Sequence, residues 1–125
     1  MIDHSIDTNV FSQVFRGNAP VKSFVEGLNA AVDITVYIEC LQGSKSNQEK
    51  HEIKKYLANF PLLHITPDVS KHAANLIDVY SNSHGLLLAD ALIAASAIEN
   101  NLTLITYNVG DFKFVTGLKY LKLTI

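Results

Sequence analysis

The stretch HGLLLADALIAASAIEN, residues 84–100, contains the longest apolar segment of the chain. Nearly every residue from Leu86 to Ile98 is apolar, whichever side of a helix it would occupy. A helix that is hydrophobic on all sides is expected to lie in the interior of a protein. We therefore predict that residues 86–98 form a buried helix and that the other elements are arranged around it.

Asp90 is the exception to the apolar character of this helix, because it lies in the first turn. Burial of an isolated carboxylate costs several kcal/mol unless a positive charge compensates for it. No lysine or arginine occurs between Lys71 and Lys113, so the chain offers no local cation. The simplest interpretation is an acid at a helix start, favoured by the helix dipole and the free N–H groups. The alternative is that a bound metal ion supplies the missing charge.

Length and composition limit the classes of protein to consider. A chain of 125 residues with 48 % hydrophobic residues predicts one domain, residues 1–125, with a substantial core. No apolar run is long enough to span a membrane, and the acidic start MIDHSID lacks the basic region of a signal peptide. The only cysteine, Cys40, cannot form an internal disulfide, so we expect a cytoplasmic protein. Because the net charge is −2, a polyanionic ligand would need local cations or a metal ion.

Segments with strand and helix patterns alternate along the chain. We predict strands at residues 1–6, 30–32, 61–66, 102–107 and 118–123. We predict helices at residues 10–16, 21–28, 34–42, 44–59 and from 67 to a polar break at 81–85, and a single helical turn within 109–115. Repeated β–α–β units favour parallel strands with right-handed crossovers. The expected fold is therefore an α/β three-layer sandwich with a mainly parallel central sheet.

Four acidic residues stand out by their positions in this arrangement. Ligands of such sheets bind beyond the carboxyl ends of the strands, where Asp7 follows the first strand and Asp111 follows the fourth. Glu39 has mostly apolar neighbours in helix 34–42, as Asp90 has in its own helix. Each acid has a simpler interpretation by itself: a helix cap for Asp7, an exposed helix residue for Glu39 and a turn residue for Asp111. Considered together, the four predict an acidic cluster.

A cluster of four carboxylates requires a cation, because like charges raise one another's pKa when they are packed together. Mg²⁺ and Mn²⁺ prefer oxygen ligands and retain several waters. We predict that one or two Mg²⁺ or Mn²⁺ ions bind to the cluster and support phosphodiester cleavage by lowering the pKa of a bound water. The polar neighbours of the acids would orient the ligands or the substrate; they are Thr8, Asn9, Thr106 and Asn108.

Other chemistries have less support in the sequence. The five histidines form no H-x-x-x-H or H-x-H pair, which disfavours a zinc site. The chain also lacks the glycine-rich and nucleophile motifs of P-loop nucleotidases, dinucleotide enzymes and α/β hydrolases. A phosphatase with an aspartyl nucleophile would need a second acid at position 9, where this chain has Asn9.

Four segments in this order resemble the PIN domain: DTNV at 7–10, ITVYIECLQG at 34–43, GLLLADALIAASA at 85–97 and TYNVGDF at 106–112. Within that family the chain is most similar to the VapC toxins of bacterial VapBC toxin–antitoxin pairs. The resemblance covers essentially the whole chain and implies that the metal-binding and catalytic acids are Asp7, Glu39, Asp90 and Asp111. It also implies that the polar companions of these acids are Thr8, Asn9, Thr106 and Asn108.

The resemblance further implies an endoribonuclease that depends on Mg²⁺ or Mn²⁺, forms a homodimer and is inhibited by a partner antitoxin. The C-terminal segment of that antitoxin would enter the acidic groove. Tyr107 stands where the family often has a basic residue, so a phosphate-facing charge is lost but a base-stacking surface is possible. Lys113 is the nearest residue that could contact a phosphate instead. The alternative hypothesis is a PIN-like module that binds RNA or a peptide without catalysis.

Overall fold

Five parallel strands form the central sheet of the computed structural model, which describes residues 1–125. Their order across the sheet is β3-β2-β1-β4-β5, and every neighbouring pair is parallel. The strands are β1 (His4–Ile6), β2 (Ala30–Asp33), β3 (Leu62–Leu63), β4 (Thr103–Thr106) and β5 (Lys119–Lys122). The predicted parallel α/β fold is therefore confirmed, although most strands are shorter than their apolar runs suggest.

Six α-helices connect the strands: α1 (Thr8–Phe15), α2 (Ala19–Glu26), α3 (Ile34–Gln42), α4 (Asn47–Leu57), α5 (Pro67–His84) and α6 (Leu88–Glu99). The predicted helical turn at 109–115 is a short 3-10 turn at Val109–Asp111. None of the helices combines the length and hydropathy that crossing a bilayer would require.

Side-chain caps mark the starts of α1 to α5, whereas α6 begins without one. The Asp7 carboxylate accepts a hydrogen bond from the Thr8 N–H, and the Asn18 side chain accepts one from the Val21 N–H, so α1 and α2 each begin two residues before the predicted position. Asp33 caps α3, which has the predicted bounds. The predicted polar break at 81–85 is wrong, because α5 continues to His84 and ends only where Gly85 adopts a left-handed conformation with φ +71°.

Helices cover both faces of the sheet. All four residues of β2 are buried, although consecutive strand residues point to opposite faces. The connections from β1 to β2 and from β2 to β3 run in one direction across the sheet, whereas α5 and α6 return from β3 to β4. With right-handed crossovers, this reversal brings α5 and α6 to the face opposite the earlier helices.

Helix α6 is buried along most of its length but not at its start. Its side chains from Ala91 onward include Ile93, Ala94, Ala95 and Ala97, all at most 1 % exposed. Leu87 and Leu88 are each 70 % exposed, so the prediction of burial on every side is wrong for the first turn. This partly exposed first turn contains Asp90.

Candidate functional site

The functional side chains lie where the parallel strands end. Ser5 of β1 is in register with Ala31 of β2 and Leu104 of β4, so these strands reach their carboxyl ends at one edge of the sheet. Asp7 directly follows β1, and Thr106 is the last residue of β4. The loop after β4 contains Asp111, as the sequence predicts.

Asp7 is a buried carboxylate held by two hydrogen bonds. It is 6 % exposed; its Oδ1 accepts from the Thr8 N–H at 2.8 Å, and its Oδ2 accepts from Thr106 Oγ1 at 2.8 Å. Burial raises the pKa of Asp7, and the charges of Glu39 and Asp111 raise it further, while the two hydrogen bonds oppose the shift. Asp7 is therefore both the cap of α1 and a member of an acidic cluster.

Glu39 is tied to the start of α1. Thr8 Oγ1 donates a hydrogen bond of 2.7 Å to Glu39 Oε1, although 31 positions separate the two residues. This contact explains how a glutamate with mostly apolar neighbours in α3 is directed toward Asp7, whose pKa it raises.

Thr106 Oγ1 is the centre of a small polar network. Besides donating to Asp7, it accepts from the Asn108 N–H at 3.0 Å and from Asn9 Nδ2 at 3.4 Å. Asn9 Oδ1 in turn accepts from the Tyr107 N–H at 3.4 Å. The predicted polar companions are therefore all joined by hydrogen bonds to Asp7, to Glu39 or to one another, with Asn108 joined through its backbone.

Asp90 is the most perturbed carboxyl group of the cluster. Burial, together with the charges of Asp7, Asp111 and Glu39, raises the pKa of Asp90 to about 6. None of the four acids forms an ion pair with a lysine, arginine or histidine. The structure thus places the four carboxyl groups within electrostatic reach of one another, and no ion pair with the chain neutralises any of them.

The acids do not form a closed cage for a metal ion. No group of three His, Cys, Asp or Glu side chains lies close enough together to hold one ion. Mg²⁺ seldom needs such a cage, since it usually binds through one or two carboxylates and retains its waters. The four acids offer carboxylate oxygens, repel one another and form no ion pair with the chain. A hydrated divalent cation suits such a set of ligands.

A hollow of about 220 Å³ opens beside Glu39 and Thr8, between α1, α3 and the start of α4. Its wall includes charged residues of both signs: Arg16, Glu39, Lys45 and Glu49. The largest hollow, about 530 Å³, lies at the opposite edge of the sheet, where Met1, Asn29 and Pro61 precede strands. Glu26 is the only ionisable side chain of that larger hollow, which therefore offers no comparable chemistry.

Lys113 follows Asp111 by two residues, is exposed and forms no ion pair. It is therefore available to a ligand at this edge, although no contact joins it to the acids.

Asp33 is a buried acid to which the sequence assigned only a capping role. It is 1 % exposed; its Oδ2 accepts from the Thr35 N–H at 2.9 Å, and its Oδ1 has no hydrogen-bond partner. Burial raises the pKa of Asp33, with no contribution from the four clustered acids. Asp33 directly follows an apolar β-rich run, as Asp7 does, and this position could have marked it as a buried acid at the sheet edge. It is not part of the acidic cluster, because none of the four clustered acids contributes to its raised pKa.

Cys40 is next to Glu39 and is buried. Burial, together with the charges of Glu39 and Asp7, raises the pKa of the Cys40 thiol to about 12. The thiol therefore stays protonated and does not act as a nucleophile at neutral pH.

Comparison with known proteins identifies relatives over nearly the whole chain. The sequence model of the PIN domain family matches residues 5–116. Ribonuclease VapC1 of Rickettsia felis is 32 % identical, over 93 % of this chain and 92 % of the relative. A toxin–antitoxin complex from Klebsiella pneumoniae contains a chain with 26 % identity and a TM-score of 0.77, covering 93 % of this chain and 95 % of that one. VapBC2 of Rickettsia felis, solved with a DNA fragment from its promoter, matches 99 % of this chain and 100 % of its own with a TM-score of 0.83 and 21 % identity.

Proposed function

Because this chain belongs to the PIN domain family, we propose that it is a metal-dependent ribonuclease that acts as the toxin of a type II toxin–antitoxin module. The observation that carries the proposal is the acidic cluster at the sheet edge, in which the charges of three other acids raise the pKa of Asp90. A relative with 32 % identity is named a ribonuclease, and a structural relative with 26 % identity comes from a toxin–antitoxin complex.

The proposed ligands of the metal ion, Mg²⁺ or Mn²⁺, are Asp7, Glu39, Asp90 and Asp111. When bound, such an ion neutralises the phosphate and lowers the pKa of a water for in-line attack. The chain itself orients these ligands: Thr106 and the Thr8 N–H hold the Asp7 carboxylate, and Thr8 Oγ1 holds Glu39. Asn9 and Asn108 fix Thr106 in turn, and Lys113 would contact a phosphate of the RNA.

Two further chains would cover exposed surfaces near the acids. Ile38 on α3 is 54 % exposed, and Leu87 and Leu88 at the start of α6 are 70 % exposed, so the two helices that contain Glu39 and Asp90 present apolar side chains to solvent. A second copy of the chain in a homodimer would bury such residues. An antitoxin would place its C-terminal segment in the acidic groove, where cationic side chains would be attracted. Both assemblies belong in the cytoplasm, where RNA is present and Cys40 stays reduced.

A cleavage assay tests the ribonuclease proposal. The purified chain should cut RNA with Mg²⁺ or Mn²⁺ and should lose the activity in EDTA. Asp90→Asn should abolish cleavage, whereas the matched change Asp78→Asn, at an exposed position of α5 outside the cluster, should leave it intact. Equal cleavage by the Asp90→Asn variant or in EDTA would contradict the proposal.

A non-catalytic PIN-like module that binds RNA or a peptide is the second candidate. Its support is that no three of the acids are close enough to hold one ion. A metal titration separates the candidates, since binding to the folded state at one hundred times Kd adds about 2.7 kcal/mol of stability. Millimolar Mn²⁺ should raise the melting temperature of a nuclease of this kind, and a binding module need not respond.

A further inference from the structure

Three ring side chains, the exposed His84 and the half-buried Tyr80 and Phe114, form a cluster to which the proposed function gives no role. The His84 imidazole stacks on the Phe114 ring, with centroids 4.4 Å apart and planes 15° apart. Tyr80 contacts both rings at an angle, with centroid distances of 5.7 Å to His84 and 5.2 Å to Phe114. We call Tyr80, His84 and Phe114 the ring cluster.

The two segments that form the ring cluster adjoin, along the chain, the segments that contain Asp90 and Asp111. His84 is the last residue of α5, and α6 begins at Leu88, so the C-terminal end of α5 adjoins the turn that contains Asp90. Phe114 follows Asp111 by three residues in the loop after β4. Because Asp90 and Asp111 interact electrostatically, the two segments that form the ring cluster also flank the acidic cluster.

Hydrogen bonds hold the rings in a defined geometry. The Tyr80 hydroxyl lies 3.0 Å from Thr116 Oγ1 and accepts from the Thr116 N–H at 3.3 Å. His84 Nδ1 is 2.8 Å from Ser83 Oγ. The rings are therefore oriented before any ligand arrives, which lowers the entropic cost of binding a flat ligand.

Anchoring the loop after β4 does not require an exposed histidine. Phe112 and Val115 are buried at 0 % and 4 % exposure and already fix this loop in the core. His84 remains exposed, so its ring offers surface to a further planar group. Lys113, between Phe112 and Phe114, is exposed and unpaired.

We propose that His84 and Phe114 form a stacking platform for a nucleobase of single-stranded RNA next to the cleaved bond, with Lys113 contacting the adjoining phosphate. The inference rests on the proposed ribonuclease function. Unpaired RNA bases stack on histidine, phenylalanine and tyrosine side chains, and such stacks tolerate any base. A platform of this kind suits a protein with a net charge of −2, which cannot attract RNA through an overall basic field.

Binding of two probes tests the platform in an Asp90→Asn background that prevents cleavage. The probes are a fluorescent single-stranded RNA oligonucleotide and an abasic ribose-phosphate chain of the same length, measured by fluorescence anisotropy. His84→Ala should weaken RNA binding about fivefold or more, the lower end of what one base–aromatic stack contributes. Binding of the abasic chain should not change. His84→Phe should restore RNA binding, because it keeps a ring but removes the titratable nitrogen.

Two further variants complete the design. Phe114→Leu keeps apolar volume in the loop but should also weaken RNA binding relative to the abasic chain. Tyr120→Ala, at an exposed ring on the edge strand β5, is the matched control and should bind both probes like the parent. In the active protein, His84→Ala should raise KM more than it lowers kcat.

The inference is overturned if the His84→Ala and Phe114→Leu variants bind RNA as tightly as the parent does, while the wild-type chain still cleaves RNA. Equal losses with both probes would also overturn it, since the cluster would then only support the loop. If the wild-type chain neither cleaves nor binds RNA, the ribonuclease proposal itself is wrong, and the platform is rejected with it.

Discussion

Thr106 Oγ1 donates a hydrogen bond of 2.8 Å to Asp7 Oδ2 across 99 positions of sequence. The same oxygen accepts hydrogen bonds from the Asn108 N–H and from Asn9 Nδ2. A single hydroxyl therefore connects the end of β4, the start of α1 and the loop that leads to Asp111. It also opposes the rise in the pKa of Asp7 that burial causes.

Replacing Thr106 with valine keeps the shape of the side chain and removes this hydroxyl. The buried Asp7 Oδ2 then loses its partner, and the part-buried Asn108 N–H loses one as well, which should lower the free energy of unfolding by about 1–3 kcal/mol. Urea unfolding measures the loss, and Thr106→Ser should recover most of it. Thr103→Val, in the same strand, is the matched control because the Thr103 hydroxyl forms no hydrogen bond, and an equal loss in this control would contradict the argument.

The carboxyl group of Asp90 should destabilise the metal-free protein at neutral pH. Its pKa is raised to about 6 in the folded state from an ordinary value near 3.8, so folding favours the protonated form. The stability that the protonated Asp90 carboxyl group contributes is therefore complete below pH about 4, and it is lost as the pH rises through about 6. Asp90→Asn should be more stable than wild type by about 1–2 kcal/mol at pH 7, after allowance for the partial exposure of the side chain.

Thermal and urea melts in EDTA at several pH values test this effect. The gain from Asp90→Asn should develop between pH 4 and 6 and remain constant above pH 7. A variant that melts below wild type at pH 7 would mean that Asp90 serves as a structural acid at the helix start, favoured by the helix dipole, and not as a strained member of the cluster.

Most of the fold follows from local patterns in the sequence. The bounds of α3 were predicted correctly because Asp33 marks the start and Gly43 follows the end. The start of α6 could not be predicted, since no pattern tells whether Leu88 faces the core or solvent where the helix leaves the sheet. Residues 81–84 were predicted as a break because serine and asparagine favour turns. In the structure they form the last turn of α5, which ends where Gly85 adopts a left-handed conformation.

The sequence allowed us to predict which acids belong to the candidate site, but not how their side chains are oriented. Asp7 and Asp111 were located by the rule for parallel sheets, and Asp90 and Glu39 by the apolar character of their helices. The sequence does not reveal that Thr8 bonds to Glu39, because that contact depends on how α1 packs against α3. The stack of His84 on Phe114 depends in the same way on the path of the loop after β4.

Thr8 should control metal affinity through Glu39. Thr8→Val removes the 2.7 Å hydrogen bond to Glu39 Oε1, so this carboxylate would no longer be oriented toward the cluster. Loss of such a supporting hydrogen bond typically weakens metal binding 10- to 100-fold. Calorimetric titration with Mn²⁺ measures the change, and Thr8→Ser should restore the affinity. Ser12→Ala removes a hydroxyl that bonds only to the Thr8 carbonyl oxygen, so unaltered Mn²⁺ affinity is expected for this control.

The Cys40 thiol should resist modification in the folded protein. With its pKa raised to about 12, the thiolate fraction at pH 8 is about a thousandfold below that of an ordinary cysteine. A chromogenic disulfide reagent should therefore label the native chain only slowly and label it to completion in urea. Since burial is the main cause of the shift, Glu39→Gln should leave the native thiol protected. Rapid stoichiometric labelling of the native chain would show that the helix α3 next to Glu39 is open to solvent.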